Sequence, residues 1–289
     1  MNNDVRPPLI VIGMHRSGTS MITRMLERLG LFLGTQRDPN DESRFFLEHN
    51  RWLLRQSGGA WDHPTSVDHL LDQPDVRTLY ADYLRYMLKT RGRIAFLGIA
   101  RALKGEAPLQ MTQPWGWKDP RNTFTLPLWM DLFPDARIIH IYRHGIDVAR
   151  SLRKREQQVL RQSQARHKRR KWLYWARPKK HGFLGSPRCL SLLKGVQLWD
   201  AYTSRAHTHT HALGERAYTL QYEDFLQSPA SYLRQLAVFC RLEVSDDAIQ
   251  RCVRHVDASR AYAYQAGPDV DWADGVGALL QKHGYSAEP

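Results

Sequence analysis

The stretch from Leu9 to Gly30 limits the possible folds of this chain more than any other. Leu9-Ile10-Val11-Ile12 is a continuous apolar run containing β-branched residues, the pattern of a strand buried on both faces of a parallel sheet. Gly13-Met14-His15-Arg16-Ser17-Gly18-Thr19-Ser20 follows. Met21, Ile22, Met25, Leu26 and Leu29 then recur on one helical face until Gly30 supplies the stop. A glycine-bearing turn between a buried strand and a helix points backbone N–H groups outward at the positive end of the helix dipole. Such a junction favours an anionic phosphate.

The spacing G-x4-G is that of a Walker A loop, but Thr19 stands where that motif requires Lys. The most convincing later strand, Ile138-Ile139-His140-Ile141-Tyr142, ends in Arg143 rather than in the Asp with which P-loop NTPases hold Mg²⁺. Both departures disfavour phosphoryl transfer from Mg²⁺-ATP, and no metal is expected. Arg16, inside the loop, can supply the charge that the missing Lys would bring. A lone loop of this spacing also arises as a chance strand–turn–helix junction, so the rest of the chain has to decide.

Two helical patterns come next. Glu42–Ser57 carries Phe46, Asn50, Leu53 and Leu54, and Asp75–Thr90 carries Val76, Leu79, Tyr80, Tyr83, Leu84 and Met87 before Gly92. Short apolar runs at Ile94–Leu97, Trp115–Trp117, Ala136–Tyr142 and Ala217–Tyr222 read as further strands. Strands alternating with helices predict an α/β fold: a three-layer, P-loop-like domain with a central parallel sheet flanked by helices. No linker divides the chain, so one domain is expected over residues 1–289, with a basic insertion at about 153–187 and a weakly patterned tail at about 261–289.

The net charge of +13 is local. Arg153–Lys180 holds twelve Lys or Arg against one acid, Glu156, which is +11 of the total. Trp172, Tyr174 and Trp175 are interleaved with these cations. A solvated insertion is the plain reading of this segment. Among functional readings, peripheral contact with an anionic membrane or a lipid-linked acceptor is preferred over nucleic acid, because indoles beside cations suit a lipid interface. Cys189, Cys240 and Cys252 form no CxxC pair, which fits a reducing compartment. No apolar run approaches the roughly twenty residues that span a bilayer, and the first apolar run already belongs to the phosphate loop. A cytoplasmic protein, peripheral at the inner membrane surface, is the expectation. His207, His209 and His211 alternate with threonines in helical sequence and read as a solvated helix end rather than a metal site.

At this point two motifs resemble a known family. Arg16-Ser17-Gly18-Thr19-Ser20 resembles the 5′-phosphosulfate loop of sulfotransferases, and Arg143 followed by Ser151 eight residues later resembles their 3′-phosphate motif. Trp117-Lys118-Asp119-Pro120-Arg121, Phe133-Pro134-Asp135-Ala136-Arg137 and Tyr222-Glu223-Asp224-Phe225 resemble the bacterial branch. The resemblance covers about residues 8–240. It implies transfer of a sulfuryl group from 3′-phosphoadenosine-5′-phosphosulfate (PAPS) to a hydroxyl or amine of a carbohydrate, glycolipid or lipid acceptor. In that reading Arg16, Ser17, Gly18, Thr19, Ser20, Arg143 and Ser151 bind the donor. Arg16 and Lys118 stabilise charge on the bridging oxygen, and Glu48 is the general base, with Asp38, Asp41 and His49 as competitors. Where the family's loop commonly has Lys, this chain has Arg16, which stabilises charge but is a poor proton donor. The alternatives are a divergent P-loop kinase, and a catalytically inactive sulfotransferase fold that binds anionic surfaces through its basic segment.

Overall fold

The structure is a computed structural model that describes residues 5–179, 182–266 and 275–286. Lys180 and parts of the tail (267–274 and 287–289) lie outside the described residues. In chain order, β1 (Leu9–Ile12) and α1 (Thr19–Arg28) lead into five helices: α2 (Arg44–Gln56), α3 (Asp68–Leu71), α4 (Pro74–Lys89), α5 (Arg91–Leu97) and α6 (Ile99–Leu103). Then come β2 (Gly116–Lys118), α7 (Asn122–Leu132), β3 (Arg137–Tyr142), α8 (Gly145–Arg170) and α9 (Leu192–Leu213). The chain continues through β4 (Ala217–Gln221), α10 (Tyr222–Gln227), α11 (Pro229–Phe239), α12 (Asp246–Val253) and α13 (Val276–Gln281). The chain forms two compact units: residues up to Arg143 with Tyr202–Ala261, and His144–Ala201 with the residues from Tyr262 on.

The first unit contains the whole sheet, in the order β2-β1-β3-β4 with every pair parallel. β1 pairs with β2 at Ile10↔Trp117 and with β3 at Ile10↔Ile138, so the first strand is central and buried at all four positions. Side chains alternate between the two faces of such a strand. Leu9, Val11, Ile139, Ile141 and Leu220 pack with Ile22 and Leu26 of α1, Phe225 of α10, Leu233 of α11 and Ile249 of α12. On the opposite face, Phe46 of α2 stacks on Trp117 of β2 with ring centroids 3.7 Å apart, and Trp129 of α7 meets both rings edge-on. Each such buried side chain contributes about 1.5–3 kcal/mol from removal of apolar surface from water. Helices on both faces make the predicted three layers.

Two expectations need correction. Ile94–Leu97 forms the second half of α5, not a strand. Phe96 sits edge-on to Phe32 and Phe46 at 5.3 Å. A run of four apolar residues suits a buried helix turn as well as a strand, and the aromatic cluster decided. The alternating histidines are not simply a solvated helix end. His207 packs against His140 and Tyr142, and His209 Nε2 donates to the Thr123 carbonyl at 2.9 Å, where burial lowers the His209 pKa.

In the second unit, Gly145 begins α8 where a side chain would collide with Trp199, a Cβ there lying 2.7 Å from its ring. Asp147 accepts from the Ala263 N–H at 3.2 Å, and His144 stacks on Tyr264 with centroids 4.3 Å apart. Ser151 lies half-buried on α8.

Candidate active site

All residues of the phosphate-loop site belong to the first unit and lie at the carboxyl ends of its parallel strands, where open α/β sheets bind ligands. Gly13 leaves β1 with φ +128, and a Cβ there would meet the Ile141 carbonyl oxygen at 2.2 Å, so only glycine fits. Gly18 caps α1 at φ +88, where a Cβ would lie 2.4 Å from the ring of Tyr222. The first-turn N–H groups of Thr19 and Ser20 have no intrahelical acceptor, as at any helix start, and Gly18 brings no side chain to cap them. The loop also includes Arg16, exposed and left-handed at φ 72. Strain at a non-glycine residue inside a ligand loop is characteristic of functional positions.

Ser17 is fully buried, and its hydroxyl oxygen has no hydrogen-bond partner. An orphaned buried hydroxyl in the turn ahead of a helix N-terminus costs stability unless something arrives to satisfy it. This fits an anionic group seated at the helix start.

Tyr222, the first residue after β4, links the two motifs identified in the sequence. Its ring lies against Gly18, and the Arg143 guanidinium sits over that ring at 4.8 Å. Arg143 Nη2 donates to the Arg260 carbonyl at 2.9 Å. Arg143 is thereby held on an aromatic face beside the loop. Its expected partner Ser151 is in the second unit, on α8.

Beside the loop is a buried ionic cluster. Lys118, at the end of β2, is 2 % exposed and donates to the Asn40 carbonyl at 2.7 Å and to Glu42 Oε1 at 3.2 Å. Ser20 Oγ of α1 donates to the same Asn40 carbonyl at 2.8 Å, so Lys118 is one shared acceptor away from the phosphate helix. Arg121 Nη1 approaches Glu42 Oε2 at 3.3 Å and Asp119 Oδ1 at 2.8 Å. Asn50 of α2 donates to Asp119 at 2.9 Å and to Asn122 at 2.7 Å, and accepts from Thr125 and Trp129. Burial raises the pKa of Glu42, as does neighbouring Asp119, and the pull of Lys118 and Arg121 does not cancel this. Burial opposes charge on Arg121 too, yet Asp119 and Glu42 hold its pKa above the ordinary value.

The acids and the histidine named from the sequence now separate. Asp38 builds the loop, accepting from the N–H groups of Asn40 and Glu42. Asp41 pairs with Arg24 at 2.6 Å. His49 Nδ1 is bonded to the Phe45 carbonyl of its own helix, and burial lowers its pKa. Glu48 lies on the exposed side of α2. The buried acid is Glu42, which sequence reading placed at a helix start without giving it a role. In the sequence Tyr222 marks only the end of a strand. The signal for Tyr222 was its place after a parallel strand, in register with the end of β3. Nothing in the local pattern distinguished Glu42 from its acidic neighbours.

A parallel sheet carrying this loop at the head of its first helix defines a P-loop-like α/β fold. The sequence matches the profile of the Sulfotransferase family over residues 7–246, and the chain belongs to that family. No curated protein sequence gives a significant match. The fold is similar to the sulfotransferase domain from the curacin biosynthetic pathway, with a TM-score of 0.55 at 16% identity over 98% of this chain and 99% of that one. It is also similar to the sulfotransferase domain of the Synechococcus PCC 7002 olefin synthase, with a TM-score of 0.53 at 15% identity over 99% and 96% of the two chains. Among the described residues, no group of three or more His, Cys, Asp or Glu could hold a metal ion, and no helix is long and apolar enough to cross a membrane.

Proposed function

We propose that this chain transfers a sulfuryl group from PAPS to a hydroxyl, or an amine, of a carbohydrate or lipid-linked acceptor. The observation that carries the reading is the buried, unpartnered Ser17 hydroxyl beneath a helix N-terminus. The donor supplies, when bound, a sulfuryl group attached to a phosphate leaving group. Ser17, Gly18, Thr19 and Ser20 offer the loop donors for its 5′ end. Arg143, steadied on Tyr222, offers a fork for the 3′-phosphate. A 3′-phosphate pocket would select this donor over ADP or ATP.

Arg16 keeps its charge at any working pH and neutralises negative charge building on the leaving oxygen. Lys118 adds a second cation, oriented by Asn40 and Glu42. We assign the general base to Glu42. Burial and neighbouring Asp119 raise its proton affinity while Lys118 and Arg121 pull the other way, the setting in which a carboxylate is tuned for proton transfer. Glu48 is the second reading, favoured by its exposure on α2.

Calorimetry without Mg²⁺ tests the donor: 3′-phosphoadenosine-5′-phosphate should bind clearly and ADP weakly. No preference between them would remove the proposal and put a kinase ahead. For the base, Glu42→Gln should cut turnover by about 10²–10⁴ and spare binding of the desulfated product, with Glu48→Gln near wild type. The reverse pattern returns the role to Glu48.

A further inference from the structure

The end of α8 and the turn after it, within the second unit, have a chemistry that donor binding does not use. Between residues 157 and 179 there are eight Lys or Arg and no Asp or Glu. All eight, Arg161, Arg166 and Lys168 through Lys179, are exposed. The acid just before this stretch is committed inside the fold. Glu156 is 1% exposed, pairs with Arg155 at 2.9 Å, and accepts from the N–H groups of Gly185 and Ser186 at 3.0 and 3.1 Å. It ties the returning chain to α8 and leaves the positive charge beyond it uncompensated.

The tip is also built. Ser163 Oγ donates to the Phe183 carbonyl at 2.7 Å. His167 stacks on Tyr174 at 5.7 Å and meets Phe183 edge-on at 5.6 Å, while the Lys179 ammonium lies 4.8 Å from the Phe183 ring centroid. These contacts occupy one set of aromatics. A second set faces solvent: Trp172 is 71% exposed and Trp175 is 92% exposed. Trp172 lies in the 3₁₀ turn Lys171–Tyr174, and Trp175, three positions on, is the residue that closes it.

We propose that this tip docks on an anionic lipid bilayer, with Trp172 and Trp175 entering the headgroup region and Arg169, Arg170 and Lys171 resting against the lipid phosphates. Indoles have an apolar body and a polar N–H that suit this interface, and each nearby cation adds attraction to the charged leaflet. Helix C-termini attract cations through the backbone dipole alone, which accounts for the basic last turn but not for two exposed indoles. A polynucleotide would need a groove that follows its backbone. Residues 164–173 are exposed at every position, so none of them is buried as the floor of such a groove. The inference is independent of the donor reading.

The test uses the full chain and extruded vesicles of phosphatidylcholine, with and without phosphatidylglycerol. Binding should need phosphatidylglycerol and weaken as salt rises. Lipids brominated on the acyl chain should quench wild-type emission, and Trp172→Phe with Trp175→Phe should remove that quenching. The triple change Arg169→Gln, Arg170→Gln, Lys171→Gln should weaken partitioning about 100-fold. Circular dichroism confirms that these exposed substitutions leave the fold intact. Equal binding to both vesicles, or undiminished binding by the variants, overturns the proposal. Tighter binding to heparin or a single-stranded oligonucleotide, with no dependence on either Trp, also overturns it and assigns the tip to a soluble polyanion.

Discussion

Two cation-rich regions of this chain use charge in opposite ways. Around the phosphate loop, Lys118 and Arg121 are almost wholly buried and each faces a carboxylate at hydrogen-bond distance. At the end of α8, eight cations stand in solvent, and Glu156 is turned inward. Buried charge survives only where partners replace water, so the first region is fixed in position. Exposed charge pays little for its freedom and acts through the field it casts, which salt screens. The first arrangement can position a proton and a leaving group. The second can attract a surface. Charge count alone ranks the tip first, and burial reverses that ranking for chemistry.

The largest effect that would sharpen this contrast lies at Glu42. Removing a general base costs typically 10²–10⁴ in rate, so Glu42→Gln should reduce kcat by about that factor in an assay that follows formation of 3′-phosphoadenosine-5′-phosphate. The wild-type acid limb of kcat/KM should sit above the ordinary 4.5, because the active form is the ionised one and burial raises its pKa. The same shift acts on stability with a definite sign. Folded Glu42 binds its proton more tightly than the unfolded chain does, so stability declines as pH rises from 4.5 through the raised value. Melting curves across that window should flatten in Glu42→Gln. An acid limb unchanged by the substitution would place the base elsewhere.

A smaller loss is expected from Gly18→Ala, where φ +88 and the Tyr222 ring at 2.4 Å oppose a side chain. Backbone strain of this kind costs about 1–3 kcal/mol, and calorimetry should find weaker donor binding together with a lower Tm. Wild-type affinity would mean that the loop is softer than its contacts imply. The smallest effect is the tip. The triple substitution of Arg169, Arg170 and Lys171 should shift Tm by less than about 2 °C and leave turnover of a soluble acceptor unchanged. A large Tm loss there would erase the contrast, since it would mean those cations are structurally paired.

Much of this was legible in the chain itself. The run Leu9–Ile12, the two glycines of the loop and the amphipathic face of α1 specify a strand–turn–helix, because each is a local constraint on φ, periodicity or burial. The same reasoning found the start of α8 after Arg143 and the uneven charge. What local pattern could not decide was Ile94–Leu97, whose four apolar residues fit strand or helix until Phe96 met Phe32 and Phe46. Nor could it choose among Asp38, Asp41, Glu42 and Glu48, four acids within eleven residues. Lys118 and Arg121 lie more than seventy residues from Glu42, and only the parallel pairing of β1 with β2 brings them to it. Sequence alone therefore determined the first strand–turn–helix and where the charge lies, since those follow from neighbours in the chain. Tertiary structure decided which acid is buried, which cations it holds and that Tyr222 supports Arg143, because desolvation and long-range contact exist only once the sheet has formed.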